Sequence, residues 1–361
     1  MKISEAIAGI PDLLLRSRFS FTFDEIPVIA EGLSFRQKEN LVRCGTDGLL
    51  KGDKVRSLPP IVQIEPANVC NLRCPLCPTG MDCMNRDKGL MTMETFRRIM
   101  DQLGDFLVTA ILYGWGEPFL NRDLLKMIRI CSSRNITTMT STNGHCLQSL
   151  DEALEVVDSG LSSLVIALDG STQEIYHAYR KSGDVEKVKR CAALIEEAKT
   201  MRKSPLPYTN LRIVVTSYNA DDLPNVERIA RDVGVNMFSL KTVGCMPHSE
   251  TYGRYEADAR EKRRFGEDRD HVSHQRCPFP FRQPTIFWDG TVVGCEFDYD
   301  LEMPLGNINT GKFREFWNSS RAAGLRNRVL KGKQDGFCGR CPYRGRIRDS
   351  SVMSRIELRP L

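Results

Sequence analysis

A chain of 361 residues can bury a large core, as one long domain or two to three shorter units, and needs no staples to fold. Its composition, 41% hydrophobic and 27% charged, with no apolar run near the roughly eighteen residues of a membrane span, is that of a soluble globular protein. A net charge of +5 spread over 51 basic and 46 acidic residues lacks the concentrated stripe of a nucleic-acid binder, so neither a nucleic acid nor a membrane is expected as a partner. Near the N-terminus Glu5, Asp12, Arg16 and Arg18 interrupt the apolar order of a signal peptide, and a cytoplasmic protein is expected. In such a reducing compartment an odd count of thirteen cysteines points to metal or catalysis rather than disulfides.

Residues 1–58 read as a mostly helical extension, with the aromatic patch FSFTF (19–23) packing on the neighbouring barrel rather than on a membrane. From residue 59 apolar strands alternate with amphipathic helices. Strands are expected at 61–67, 108–114, 136–144, 162–170, 210–218 and 235–243, and helices at 93–104, 121–135 and 184–202. Alternation of this kind implies parallel pairing with right-handed crossovers. The expected fold class is therefore α/β, a partial (β/α)6 TIM-like barrel over 59–245, since six units are too few for a closed eight-stranded barrel. Residues 246–276 carry dense mixed charge and read as an exposed linker, with no metal role for His271 and His274. A small C-terminal α+β unit occupies 277–345, with a hairpin turning at Asp289-Gly290 and a helix over 313–330. The tail 346–361 is basic, through Arg346, Arg348, Arg355 and Arg359, and is expected to be solvated or partly disordered rather than an anion-binding surface.

In such barrels chemistry gathers where the strands end. The segment EPANVCNLRCPLCPTG, with Cys70, Cys74 and Cys77, comes after the first strand; GWGEP, from Gly114 to Pro118, comes after the second. Ser141 and Asn143 end the third, Asp169 the fourth, Ser217 and Asn219 the fifth. All face one mouth. A closed tetrahedral metal site needs four ligands, whereas three thiolates on a four-iron cluster leave one iron open, as catalytic zinc keeps a position open. A structural zinc site completed by Cys83 is the alternative, although zinc knuckles usually pair two Cys-x-x-Cys units.

The spacing Cys70-x-x-x-Cys74-x-x-Cys77 after a first strand resembles the radical S-adenosylmethionine (SAM) superfamily. That resemblance implies a 4Fe-4S cluster on these three cysteines, whose open iron chelates SAM and whose electron cleaves it to a 5′-deoxyadenosyl radical that abstracts substrate hydrogen. GWGEP resembles the GGEP motif, with Trp115 in place of its second glycine. The likeness implies that Gly114, Gly116, Glu117 and Pro118 meet the SAM amino group, that Ser141, Asn143 and Asp169 contact its ribose and methionyl parts, and that Arg180 holds its carboxylate. It spans about residues 59–245 and implies an electron donor such as flavodoxin or ferredoxin.

Cys277, Cys295, Cys338 and Cys341 form a second set able to ligate a whole cluster, or alternatively a zinc ribbon. With LGNI (305–308) and EFW (315–317) they resemble the SPASM/twitch extension of the same superfamily, which implies a second, auxiliary 4Fe-4S cluster in the shorter twitch-like form. Of the remaining cysteines, Cys131 and Cys191 fall on apolar helix faces, while Cys245 lies just past the sixth strand as a candidate hydrogen-atom donor to a substrate radical, against a packing role. Lys241, Glu296 and Asp298 are candidates for proton transfer or substrate contact. The expected function is a radical SAM oxidoreductase that oxidises or epimerises a small hydroxylated metabolite, sugar- or cyclitol-like. Modification of a ribosomal peptide or protein is the rival within enzymes; a non-catalytic iron-sulfur electron carrier is the rival from another class.

Overall fold

The computed structural model describes residues 10–50, 52–242, 252–255, 277–332, 336–339, 341 and 352–360. Strands β3 (Ile61–Ile64), β4 (Thr109–Ile111), β5 (Thr137–Thr142), β6 (Ser163–Ala167), β7 (Tyr208–Val215) and β8 (Met237–Thr242) are the six expected, each paired in parallel with the next. Along them apolar residues alternate between two surfaces. Val62, Ile64, Ala110, Leu112, Leu164, Ile166, Leu211 and Ile213 turn outward into the main core beneath the helices. Gln63, Tyr113, Ser141, Asp169, Arg212, Ser239 and Lys241 take the opposite, inner face.

The helices bury the faces their spacing predicts. Phe96, Ile99, Met100 and Leu103 line one side of Met93–Leu103, and Leu124, Met127, Ile128 and Cys131 one side of Leu124–Ser132. Each such side chain, fully buried, contributes about 1.5–3 kcal/mol. Thr92, Ser149 and Asp184 each cap the helix that starts at the next residue, and Ser149 forms a complete capping box with Glu152.

Three features differ from the expectation. First, the N-terminal extension is not only helical: between Ile10–Leu15 and Phe35–Leu50 lies a hairpin, β1 (Phe19–Phe23) with β2 (Ile26–Ala30). Phe21, Phe23, Ile26 and Val28 pack on the inner-face residues Met139, Val165, Tyr208 and Met237, which closes the N-terminal end of the barrel. Asp24, at the hairpin turn, forms a buried ion pair with Arg212. Alternation in FSFTF was visible in the sequence; its docking depends on residues far along the chain.

Second, the C-terminal unit shares the barrel's sheet. Strands β9 (Thr285–Ile286), β10 (Thr291–Val293) and β11 (Pro304–Asn307) extend it past β3, with β9 parallel to β3 and the expected turn at Asp289-Gly290 between β9 and β10. The helix expected over 313–330 is two, Phe313–Trp317 and Ser320–Leu330. Third, part of the tail is ordered. Val352–Glu357 forms β12, antiparallel to β8, and Arg359 reaches Glu196 at 2.7 Å. Charge in this segment masked a strand whose binding comes from main-chain hydrogen bonds. Both free edges of the barrel sheet are thereby covered. The linker 246–276 lies outside the described residues except for the short helix Tyr252–Tyr255.

Candidate active site

Beyond β3 the chain leaves the sheet and winds through the three cysteines. Cys77 N–H donates to the Cys74 carbonyl (3.2 Å) and Met81 N–H to that of Cys77 (2.8 Å), so the loop is a series of turns. Gly80 lies against the Cys74 backbone, where a Cβ would come within 2.4 Å of the Cys74 carbonyl oxygen. The thiols are free; Cys74 is buried, Cys70 and Cys77 half-buried. Burial pushes Cys70 up to about 11, and its neighbours Glu117, Cys74 and Cys77 push the same way. Cys74 is also raised by burial, with Arg180 opposing. Thiols that burial holds protonated, as it does Cys70 and Cys74, need a strongly cationic partner to ionise, and the soft iron of a cluster is such a partner. Among the described residues no three His, Cys, Asp or Glu side chains are placed to hold a single metal ion. Cys83 is exposed, its thiol donating to the Pro78 carbonyl at 3.6 Å.

The loop after β4 is pressed beneath this one. A Cβ on Gly116 would lie 2.4 Å from the Ala67 carbonyl oxygen and 2.7 Å from that of Val69, so only glycine allows the approach. Glu117 N–H donates to the Val69 carbonyl at 2.9 Å. The Glu117 carboxyl is buried and accepts from Phe119 N–H (3.2 Å), the Thr142 hydroxyl (2.9 Å) and Asn143 N–H (2.8 Å). Burial outweighs these donors and holds it up to about 7.

Asn143 donates to Asn71 at 2.7 Å and points the same amide at the Cys70 sulfur, 3.8 Å away. His145 fixes it: Asp184 N–H donates to Nε2 (2.8 Å), which leaves Nδ1 to donate to the Asn143 carbonyl (2.9 Å). Asp169 is fully buried, accepts from Val214 N–H at 2.6 Å and forms an ion pair with Arg180, whose Nη1 lies 3.7 Å from the Cys74 sulfur. Ser141 is half-buried on the inner face. Asn219 braces Asp169 by donating to its carbonyl at 2.9 Å, and Ser217 turns away to the Arg254 carbonyl. Glu117, Asn143 and Asp169, which follow strand ends, and Arg180, at the end of the helix Gln173–Tyr179, converge on the cysteine loop.

The second set gathers at the other side of the mouth. Cys295 is buried with Phe297, Leu325 and Phe337, and Trp115, Cys338 and Cys341 pack against them. Cys338 acts electrostatically on Cys277, and Cys277 and Cys341 act on Cys295, so the four thiols lie in one region of the fold. Burial pushes Cys277 up to about 11. Glu296 carries its carboxylate to the inner face, where Gln63 donates to it at 2.7 Å. Asp298 turns into its own loop, accepting from Glu302 N–H (2.7 Å) and Met303 N–H (2.9 Å). Lys241 lies near the mouth end of β8, in register with Val214. Cys245 lies outside the described residues.

Sequence reasoning missed the joint between the two sets. Glu65, fully buried, binds Arg86 through two hydrogen bonds of 2.9 and 3.0 Å, and Arg86 stacks on Phe287 at 3.8 Å. Asn85 N–H donates to Asp300 at 2.9 Å, and Trp288 packs over Gly89. The signal was present in IVQIEPA, where Gln63 and Glu65 alternate with apolar residues and so share the inner face.

Residues 64–228 match the model of the radical SAM superfamily, and residues 277–342 that of the SPASM iron-sulfur cluster-binding domain. The chain belongs to the radical SAM superfamily. It joins a radical SAM region to a C-terminal SPASM iron-sulfur cluster-binding domain. The chain is 32% identical over 184 residues to a probable GTP 3′,8-cyclase of Methanocaldococcus jannaschii, covering 51% of this chain and 57% of that one. It spans about half the length of the curated relatives it matches. Among solved structures it is similar to SuiB of Streptococcus suis bound to S-adenosylmethionine (TM-score 0.62, 14% identity, 94% of this chain and 82% of that one). It is also similar to BtrN in complex with AdoMet and 2-DOIA (TM-score 0.50, 13% identity, 83% and 99%). Among the described residues no helix is long and apolar enough to cross a membrane.

Proposed function

We propose that this radical SAM enzyme dehydrogenates a small hydroxylated metabolite, sugar- or cyclitol-like, at a carbon bearing a hydroxyl. When bound, SAM and the first cluster would supply radical abstraction of hydrogen at that carbon, and the auxiliary cluster would supply a one-electron acceptor. Cys70, Cys74 and Cys77 would hold the first cluster, and Cys277, Cys295, Cys338 and Cys341 the second. Gly114, Gly116, Glu117 and Pro118 would meet the SAM amino group, with Ser141, Asn143 and Asp169 on its ribose and methionyl parts and Arg180 on its carboxylate.

One observation carries the reading. Glu296 directly succeeds the auxiliary ligand Cys295 and holds its carboxylate on the inner face, against Gln63 and beside Tyr113. A carbon radical beside a hydroxyl becomes a carbonyl by losing one proton and one electron. In this reading Glu296 would take the hydroxyl proton, next to the site that would take the electron. Lys241 would orient the hydroxyls from β8.

The test is anaerobic turnover of polyols deuterated at the hydroxyl-bearing carbon. The expected result is deuterium in 5′-deoxyadenosine and a carbonyl product, with Glu296→Gln still abstracting deuterium but yielding little ketone. Epimerisation remains the outcome if Cys245 donates hydrogen back, and the product would then keep its hydroxyl with inverted configuration. Modification of a ribosomal peptide is the second reading, motivated by the likeness to SuiB, which is also solved bound to its precursor peptide. Deuterium transfer from peptides and from no polyol would overturn the first reading in its favour.

A further inference from the structure

Trp115 departs from the glycine of the motif it stands in, and the structure gives its side chain a definite place. The indole Nε1 donates to the Glu296 carbonyl at 2.9 Å. Its ring meets Phe297 edge-on at 6.1 Å and Tyr299 at 5.3 Å, and it packs on the cluster of Cys295, Leu325 and Phe337 that borders Cys338 and Cys341. Its backbone belongs to the other site. Trp115 N–H faces the buried Glu65 carboxylate, and the next residue, Gly116, is wedged under the Ala67 and Val69 carbonyls at the head of the Cys70 loop. One residue therefore touches the SAM-side loop with its main chain and the auxiliary site with its side chain. Glycine in that position would keep the first contact and delete the second.

We propose that Trp115 is a positioning residue that sets the auxiliary cluster site against the SAM site, acting through the Glu296 carbonyl and the Phe297 and Tyr299 rings. The indole N–H fixes the main chain of the residue after Cys295, and the edge-on ring contacts fix the direction in which the loop to Tyr299 leaves it. A half-buried indole of this kind supplies both apolar area and one directed hydrogen bond. Arg86 and Asn85 tie the same two regions together at a second place, so Trp115 sets their register rather than holding them together alone. The inference rests on the presence of two cluster sites and not on the substrate class.

The test uses the full chain, reconstituted anaerobically with iron and sulfide and then reduced, with no substrate present. Iron and labile-sulfide analysis of the wild type checks the two-site reading separately. Electron paramagnetic resonance then reads the spin interaction between the two reduced clusters and the line shape of the auxiliary signal. W115G is expected to keep the SAM-responsive signal of the first cluster, while the auxiliary line shape changes and the inter-cluster interaction weakens. W115F, which keeps a ring but not the N–H donor, is expected to fall between W115G and the wild type. Loss of auxiliary iron in W115G with retention in W115F supports the same conclusion. Should W115G fail to fold, W115L, with apolar bulk but neither ring edge nor donor, takes its place. Spectra of the glycine or leucine variant that match the wild type in both signals overturn the proposal.

Discussion

The two cysteine sets solve one problem in opposite ways. Cys70, Cys74 and Cys77 sit in one short loop whose own turns bring them together. Cys277, Cys295, Cys338 and Cys341 come from a hairpin, a loop and a distant helical turn, and only the packing of Phe297, Leu325 and Phe337 makes them neighbours. A site encoded by spacing needs little beyond a glycine to let the loop fold back. A site assembled from separate elements depends on every contact that docks those elements, including ones in the barrel such as Trp115 and Glu65.

The sharpest break between the two is chemical. Cys70→Ala, Cys74→Ala or Cys77→Ala is expected to abolish formation of 5′-deoxyadenosine from SAM. Cys338→Ala is expected to lower iron content yet leave that cleavage measurable, because the first loop does not depend on the second set. Chromatography of the nucleoside beside iron analysis checks both; equal loss of cleavage in all four variants would show that the sets fold as one unit.

Next in size is the joint. Arg86→Ala leaves the Glu65 carboxylate buried without its partner and is expected to cost about 3–5 kcal/mol. Urea unfolding measures it, and loss of auxiliary iron before first-cluster iron on mild heating would place the damage on the docked side.

A pH effect separates the sites further. Glu117 is held up to about 7 in the folded chain against an ordinary value of 4.5, so the folded state binds a proton that the unfolded state releases. Its stabilising contribution is complete below pH 4.5 and is lost as pH rises through 7. Thermal unfolding of cluster-free protein across that range is expected to show this fall, and Glu117→Gln to flatten it. The proposed approach of the SAM amino group to this carboxyl is expected to release protons on binding near pH 7, measurable as a buffer-dependent binding enthalpy.

The smallest effect is a control remote from both sets. Ser149→Ala removes a capping box and is expected to cost about 1 kcal/mol without changing either cluster signal. A spectral change there would mean that the sites report global stability rather than their own surroundings.

Much of the first site was legible in the sequence because its determinants are local. The three-thiol spacing is contained in one short loop, and Gly116 and the polar strand-end residues could be read where they stand, but what they touch, the Ala67 and Val69 carbonyls for Gly116 and Asn71 for Asn143, lies far along the chain. Glu65 and Gln63 were visible as polar interruptions of a strand, but their partners Arg86 and Glu296 were not, since nothing local selects them. The hairpin at 19–30 and the strand at 352–357 were missed for the same reason. Their stability comes from inner-face side chains and from a sheet edge contributed by other segments.

What the amino-acid order determined by itself was the alternation of strand and helix and the loop chemistry at each strand end, because backbone periodicity and short-range spacing act over a few residues. What only the tertiary structure decided was the closure of the barrel's lower end by Asp24 and its hairpin, the covering of both sheet edges, and the meeting of Trp115 with the second cysteine set. Those depend on burial of apolar surface and pairing of buried charges between segments far apart in the chain, and no window of sequence contains both halves of such a contact.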